Sequence, residues 1–397
     1  MWNWWWAAPL LILIVYVTVQ ALNPSHSYQS ASRSLLPETY VKWLPYSTDA
    51  DCTWEALGLL ATYAAMFWVV CRCFRRVTEC KALLMVLVIN GFALALVAIL
   101  QSVSGEQKLL WFRASPIPEF MGSFVNRNNY AAYMNLLIPI ALALGGCFGE
   151  TRLEARSKGH PGYLFYFMAA VMAASVLRSG SRAGSVICVL LVGCWLWNLV
   201  FAGSDRAFGS WKKMFLIGSV VVVVAAGLLV LSGIKPVTDR FTAPVNEEEL
   251  QMRENSNTRP AAYRATFEMF QDHWVYGTGA GTFHRAFPYY QPAHLAGFWP
   301  YAHSDWLQWM AELGVLGSVL MVMTMGGILQ RCVRNYRQPR ERVNDSPESR
   351  VLRQHFLPAL GFGVAGVALH ACVDFPLHIP AVAVLAVASW ALVYQSS

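Results

Sequence analysis

The chain has 397 residues, of which 56% are hydrophobic and only 13% charged, with a formal net charge of +7. A soluble protein carries about 25% charged residues. This composition cannot cover a soluble body of that length, and the chain reads as a polytopic membrane protein.

A spanning helix needs about 20 mainly apolar residues. Ten stretches qualify: Trp4–Ala21, Trp54–Cys71, Leu83–Leu100, Tyr130–Phe148, Tyr163–Val176, Ser185–Phe201, Phe215–Leu231, Leu313–Leu329, Phe356–Cys372 and Pro380–Val393. The first opens on Trp2, Trp4, Trp5 and Trp6, an interfacial aromatic belt with no basic n-region, so it is expected to be a retained helix. All 30 Lys and Arg fall outside these stretches. They crowd into the short loops 72–82, 149–162, 202–214 and 330–355. Basic short loops mark the cytoplasmic side, which puts both termini in the cytoplasm and the polar segment 234–302 outside. The net charge thus reflects topology and gives no argument for nucleic-acid binding. The expected fold is all-α: one membrane domain, 1–397, of about ten transmembrane helices. The external segment 234–302 is inserted between the seventh and eighth. Of the nine cysteines only Cys52 is expected outside, so no disulfide framework is expected.

Residues 22–53 and 101–127 form modest external loops, and the basic stretch 331–354 reads as a connector. In the long segment, Glu247-Glu-Glu249 is solvated. Asn257-Thr258-Arg259-Pro260 is a helix start, capped by Asn257 or Thr258. Tyr263, Phe267, Phe270 and Trp274 then recur at helical spacing as an amphipathic face. Gly277-Thr-Gly-Ala-Gly281 ends that helix, and with no strand before it reads as a turn, not a phosphate cradle. A proline-broken aromatic stretch leads to His303-Ser304-Asp305. Ser304 caps a helix that continues into the membrane. From Asp305 to Leu329 that helix spans about 37 Å, so its first turns stand outside the hydrocarbon, with His303 beside its positive end.

Two constellations carry chemistry. Arg178-Ser-Gly-Ser-Arg182-Ala-Gly184 places two guanidiniums at the mouth of two helices joined by almost no loop. Arginine at a hydrocarbon edge is costly unless paired or wet, and its fork suits a phosphate. The plain alternative is snorkelling to headgroups. His303 is suited to general-base work, against the plain reading of a packing histidine. Asp305 is nearly on the opposite face and is a poor orienter for it. Asp305 and Glu312 share a face suited to holding another helix or an acceptor. Arg264 reads as a solvated residue. Asp374 and His378 are spare candidates in the last external turn. His284, His294 and His303 lack metal-ligand spacing.

In order along the chain stand Gly122-Ser-Phe-Val-Asn126-Arg-Asn128, Ser179-Gly-Ser181-Arg182-Ala-Gly184, Arg259-x-x-x-Tyr263-Arg264, His273-x-x-x-Gly277-x-Gly-x-Gly-x-Phe283, and Ala302-His303-Ser-Asp305-x-Leu307-Gln308-x-x-x-Glu312-Leu-Gly314. This set resembles the O-antigen ligase and O-antigen polymerase family of bacterial inner-membrane glycosyltransferases, over roughly residues 120–330. The resemblance implies a GT-C-like fold and glycan transfer from an undecaprenyl diphosphate carrier to a periplasmic acceptor hydroxyl. That acceptor is lipid A–core, a growing glycan or a protein. It implies no nucleotide, no cofactor and no required metal. By motif, Arg182 and Arg259 hold the diphosphate and His303 is the catalytic base. Arg178, beside the motif, joins the diphosphate set. Asn126, Asn128, Tyr263, Arg264, Asp305 and Glu312 are acceptor-binding or supporting residues. This chain has Ser304 where the family commonly has Asn, and Tyr263 where it has Trp. The competing class is a multi-pass transporter or lipid-linked-oligosaccharide flippase, which matched broken helices in two halves would favour.

Overall fold

The computed structural model describes residues 4–32, 34–105, 108–115, 120–153, 162–201, 258–295, 297–337 and 352–395. The apolar stretch Phe215–Leu231, the acidic run 247–249, Asn257 and connector residues 338–351 lie outside the described residues. The other nine expected stretches each fall on a helix. Among the described residues, five helices are long and apolar enough to cross a membrane: Ala50–Cys73, Val77–Ser104, Arg127–Phe148, Gly162–Ser179 and Asp305–Arg331. Shorter apolar helices lie at Ala7–Leu22, Arg182–Asn198 and Pro380–Gln395. The protein is a helical multi-pass membrane protein. The all-α expectation omitted two small antiparallel hairpins in the loops 22–53 and 101–127, His26–Gln29 with Ser34–Pro37 and Lys108–Leu109 with Arg113–Ala114.

The chain forms two compact units. One comprises Met1–Met66, Val245–Val333 and Ala371–Phe375; the other comprises Phe67–Pro244, Arg334–His370 and Pro376–Ser397. At the centre of the second unit is the helix Arg127–Leu153. It packs against Val77–Ser104, Gly162–Ser179, Arg182–Phe201 and Leu357–His370. Its residues from Tyr130 to Leu144 are buried on every face, as expected of a helix apolar all round. Small residues set the approach: a Cβ on Gly184 would run into Ala131. Without a hydrophobic drive between helices in lipid, such close packing carries the association.

The first unit has two cores. In one, Ala262, Ala265 and Met269 of the helix Thr258–Asp272 pack with Phe283, Phe287, Leu295, Ala302 and Ala311. The sequence pattern pointed to the Tyr263, Phe267, Phe270 and Trp274 face of this helix. The small-residue face packs in this core with Phe270 partly buried against it, while Phe267 and Trp274 are exposed. Phe283 and Phe287 stack in this core at 4.7 Å, and the small side chains of Ala262 and Ala265 pack with them. In the other core, Leu13, Tyr16 and Val17 meet Ala280 and Leu313.

The helix Asp305–Arg337 is broken at Gly314, where φ is 62° and ψ −171°. This corrects the expectation of one straight rod. The break frees backbone groups that need partners. Thr278 and Gly279 donate to the carbonyls of Ala311 and Glu312 at 3.0 and 2.9 Å, and Val315 donates to the carbonyl of Trp274 at 2.8 Å. The Tyr16 hydroxyl reaches the Leu313 carbonyl at 2.8 Å. A Cβ at Gly314 would collide with the Val275 carbonyl and lie 2.6 Å from the Gly277 nitrogen. The glycine loop 277–281 is the turn the sequence implied, with positive φ at Gly277, Gly279 and Gly281.

Candidate active site

His303 lies just ahead of the helix that begins at Asp305. Ser304 is the cap, its Oγ 3.4 Å from the Leu307 amide. His303 itself has φ +57°, the left-handed region. For a residue with a Cβ that conformation costs on the order of 1–3 kcal/mol and persists only where the surroundings over-determine it. Trp299 and Phe375 meet the imidazole edge-on, at ring separations of 5.5 and 5.0 Å. Tyr301 stacks on Phe375 at 4.3 Å.

The imidazole Nδ1 stands 3.3 Å from Asp374 Oδ1. An ionised carboxylate only accepts, so the proton of a neutral ring sits on Nδ1 and the Nε2 lone pair is left for other work. Asp374 is 2% exposed at its side chain. A buried carboxylate needs compensation, and three groups among the described residues contribute to it. The Phe375 amide donates to Oδ1 at 3.0 Å. His303 approaches the same oxygen. The Arg259 guanidinium lies 3.5 Å from Oδ2. Arg259 also donates to the Val373 carbonyl at 3.1 Å, while its side chain keeps 43% of its surface accessible. One turn further, the Tyr263 hydroxyl donates to the His303 carbonyl at 2.8 Å, and burial raises the pKa of that phenol. The result is an imidazole, a buried carboxylate and an accessible guanidinium within one small cluster. A base can take a proton there and the cation can hold an anion.

Of the residues singled out in the sequence, the structure brings Arg259, Tyr263 and His303 together. Asp374, a spare candidate, is the carboxylate that faces the ring, and no local pattern linked it to a histidine 71 positions away. The surroundings of His303 therefore include a carboxylate as well as the Arg259 guanidinium. Asp305 is buried, and its amide donates to the Ala371 carbonyl at 2.9 Å. Glu312 does not reach toward an open surface. Its carboxylate accepts the amides of Gly281 and Phe283 at 3.0 and 3.1 Å, so it holds the glycine loop. Arg264 is exposed, as its solvated reading had it.

In the second unit, Asn126 caps the helix Arg127–Leu153: its Oδ1 accepts the Asn128 amide at 2.7 Å. Arg178 closes the helix Gly162–Ser179. Its Nε and Nη2 donate to the Ser102 hydroxyl and carbonyl at 3.2 and 3.3 Å. Arg182 opens the next helix, and Gly180, with φ +68°, makes the tight link between them.

The remaining histidines of the first unit have other settings. His273 is held by the Tyr46 and Tyr290 hydroxyls, at 2.7 and 3.2 Å. His284 lies 3.8 Å from the Cys52 sulfur. Burial lowers the pKa of both rings, and Arg285 lowers that of His284 further. His294 is exposed. No group of three His, Cys, Asp or Glu among the described residues is placed to hold a metal ion.

No curated protein matches the chain at a significant level. Residues 167–322, a span that takes in Arg178, Arg182, Arg259 and His303, match the O-antigen ligase family model. The match covers less than half of the chain and supports a place for it among the O-antigen ligases and polymerases, membrane enzymes of glycan transfer in polysaccharide assembly.

Proposed function

We propose that the protein transfers a glycan from a polyprenyl diphosphate carrier, undecaprenyl diphosphate in bacteria, to an acceptor hydroxyl on the periplasmic face of the inner membrane. The observation that carries the reading is the His303–Asp374–Arg259 cluster, in which a buried carboxylate faces an imidazole and a guanidinium at once. His303 Nε2 takes the acceptor's hydroxyl proton as the acceptor oxygen attacks the anomeric carbon. The bond from that carbon to the phosphate oxygen breaks, and the lipid diphosphate departs with the electron pair. In-line attack inverts the anomeric centre. Asp374 holds the ring in the tautomer that leaves Nε2 free, and it stabilises the imidazolium that forms.

Arg259 is assigned to the departing diphosphate, whose charge an arginine fork spreads through bidentate bonds. Arg178 and Arg182 are assigned to diphosphate binding by their chemistry and by the sequence motif. The donor carries its own energy in the diphosphate linkage, so the reaction requires no nucleotide, and no step of it calls for a metal. Asn128, Arg264, Asp305 and Glu312 take supporting roles in this scheme.

The test is reaction of the purified protein with a lipid-linked oligosaccharide and competing acceptors, lipid A–core and free glycan. The native chain should join glycan to one of them with inversion, and the acceptor used separates ligase from polymerase. His303→Ala should leave the donor lipid-linked. Transfer at the native rate in that variant, or a product with retained configuration, would count against the scheme. Donor held in the cytoplasmic leaflet of cells carrying the variant would point to a transporter.

A further inference from the structure

We propose that Gln308 and Tyr263 are a pair of positioning residues that aim the His303 ring by clamping the backbone on either side of it. The inference rests on the reading of His303 as the general base. Gln308 is 2% exposed. Its Oε1 accepts the Ala302 amide at 3.0 Å, and its Nε2 donates to Glu312 Oε1 at 3.0 Å. The carboxylate can only accept, so the amide group has one orientation and its carbonyl must face Ala302. Glu312 is anchored in turn by the Gly281 and Phe283 amides. The peptide ahead of His303 is thereby tied through two side chains to the glycine loop.

On the other side, the Tyr263 hydroxyl holds the His303 carbonyl at 2.8 Å. The Asp305 amide bonds the carbonyls of Ala371 and Asp374, at 2.9 and 3.1 Å. A residue with a Cβ takes φ +57° uncommonly, and histidine, although it enters that region more often than most, still needs it to be held. Here the peptides before and after it are fixed by groups from separate elements, which leaves the ring one direction, toward Asp374. Neither Gln308 nor Tyr263 is hydrogen-bonded to the imidazole, so both act through the turn. Without the clamp the backbone relaxes toward ordinary φ and the ring swings away from the carboxylate. Misplacement by about 1 Å costs on the order of 100-fold in rate.

The experiment uses the full chain in detergent, with a lipid-linked oligosaccharide donor and a saturating glycan acceptor. Gln308→Met keeps the side chain's length and removes both hydrogen bonds. Tyr263→Phe removes one hydroxyl. Each should fold, lower kcat on the order of 100-fold and leave the donor KM unchanged, the split expected when only the reacting geometry is lost. The double variant should lose less than the product of the single losses, because both hold one turn. Native kcat in a folded Gln308→Met protein overturns the proposal, as does a loss confined to KM. If Gln308→Met does not fold, Tyr263→Phe decides: native kcat overturns the clamp and a kcat-only loss supports it. His303→Ala separates the two levels. Activity retained there sinks the catalytic reading itself. An inactive His303→Ala beside fully active clamp variants sinks only the clamp.

Discussion

Two tight turns in this protein carry its most chemical residues, and they are built differently. In the turn at 178–182 a glycine, Gly180, takes the positive φ; in the turn at 303 a histidine takes it. Glycine enters that region at no steric cost, so the first turn presents its arginines on an unstrained backbone. The second spends stability on a residue that a glycine would replace without strain. Around His303 are hydrogen bonds that hold it there, from Asp374 at the ring and from Tyr263 at the carbonyl. The strained turn holds a single ring, whereas the relaxed one carries two arginines, of which Arg178 is bonded to Ser102.

Replacing the residue that bears the strain should separate shape from chemistry most sharply. His303→Gly and His303→Ala should both lose roughly 100- to 10,000-fold in transfer rate, the usual worth of a general base. The glycine variant should nonetheless be the more stable of the two by about 1 kcal/mol, since it alone is at ease at φ +57°. Thermal unfolding in detergent checks this, and an alanine variant as stable as the glycine one would mean the turn has no strain. At the other turn the charge is under test. Arg182→Lys should lose roughly as much activity as Arg182→Ala, on the order of 100-fold, because a point charge does not replace the fork. A fully active lysine variant would reduce the turn's role to charge alone. Gly180→Ala should then cost about 1–2 kcal/mol of stability, seen as a lower unfolding temperature. An unchanged temperature would erase the contrast between the turns.

His273 supplies the control and the smallest effect. It is a histidine of the same unit as His303, held by two tyrosines. Burial holds its pKa below the ordinary 6.5. The folded state therefore binds fewer protons than the unfolded one as pH falls past 6.5. The stability it contributes is complete above that pH and is lost as pH drops toward its folded value. His273→Gln should flatten the dependence of unfolding temperature on pH in that acidic window and leave the transfer rate alone. An activity loss there would make His273 more than a structural residue.

How much of this was legible in the sequence depended on the range of the interaction. The Ser304 cap, the start of the helix at 258–260 and the glycine turn at 277–281 are written in adjacent residues, and each stands where the pattern put it. The apolar runs marked helices because length and hydropathy are local. The pairing of His303 with Asp374 joins residues 71 positions apart, and spacing carries no trace of it. The break at Gly314 was hidden for a similar reason. Hydropathy runs on through Leu313–Leu329, and the partners that make a break tolerable come from Trp274 to Gly279. That the helix Thr258–Asp272 packs through its alanines was not legible because helical periodicity reports a stripe, not what lies against the opposite face.

The interruption at Gly314 also sets how the reaction centre answers to its surroundings. The piece of helix immediately after His303 runs only from Asp305 to Leu313, roughly 13 Å long. Its far end is stitched by backbone bonds to the 274–279 segment. Bilayers differ in thickness, and spanning helices accommodate by tilting. A joint at the glycine is expected to take up a change of inclination in the helix that follows it, leaving the short piece and the geometry it carries insulated from lipid composition.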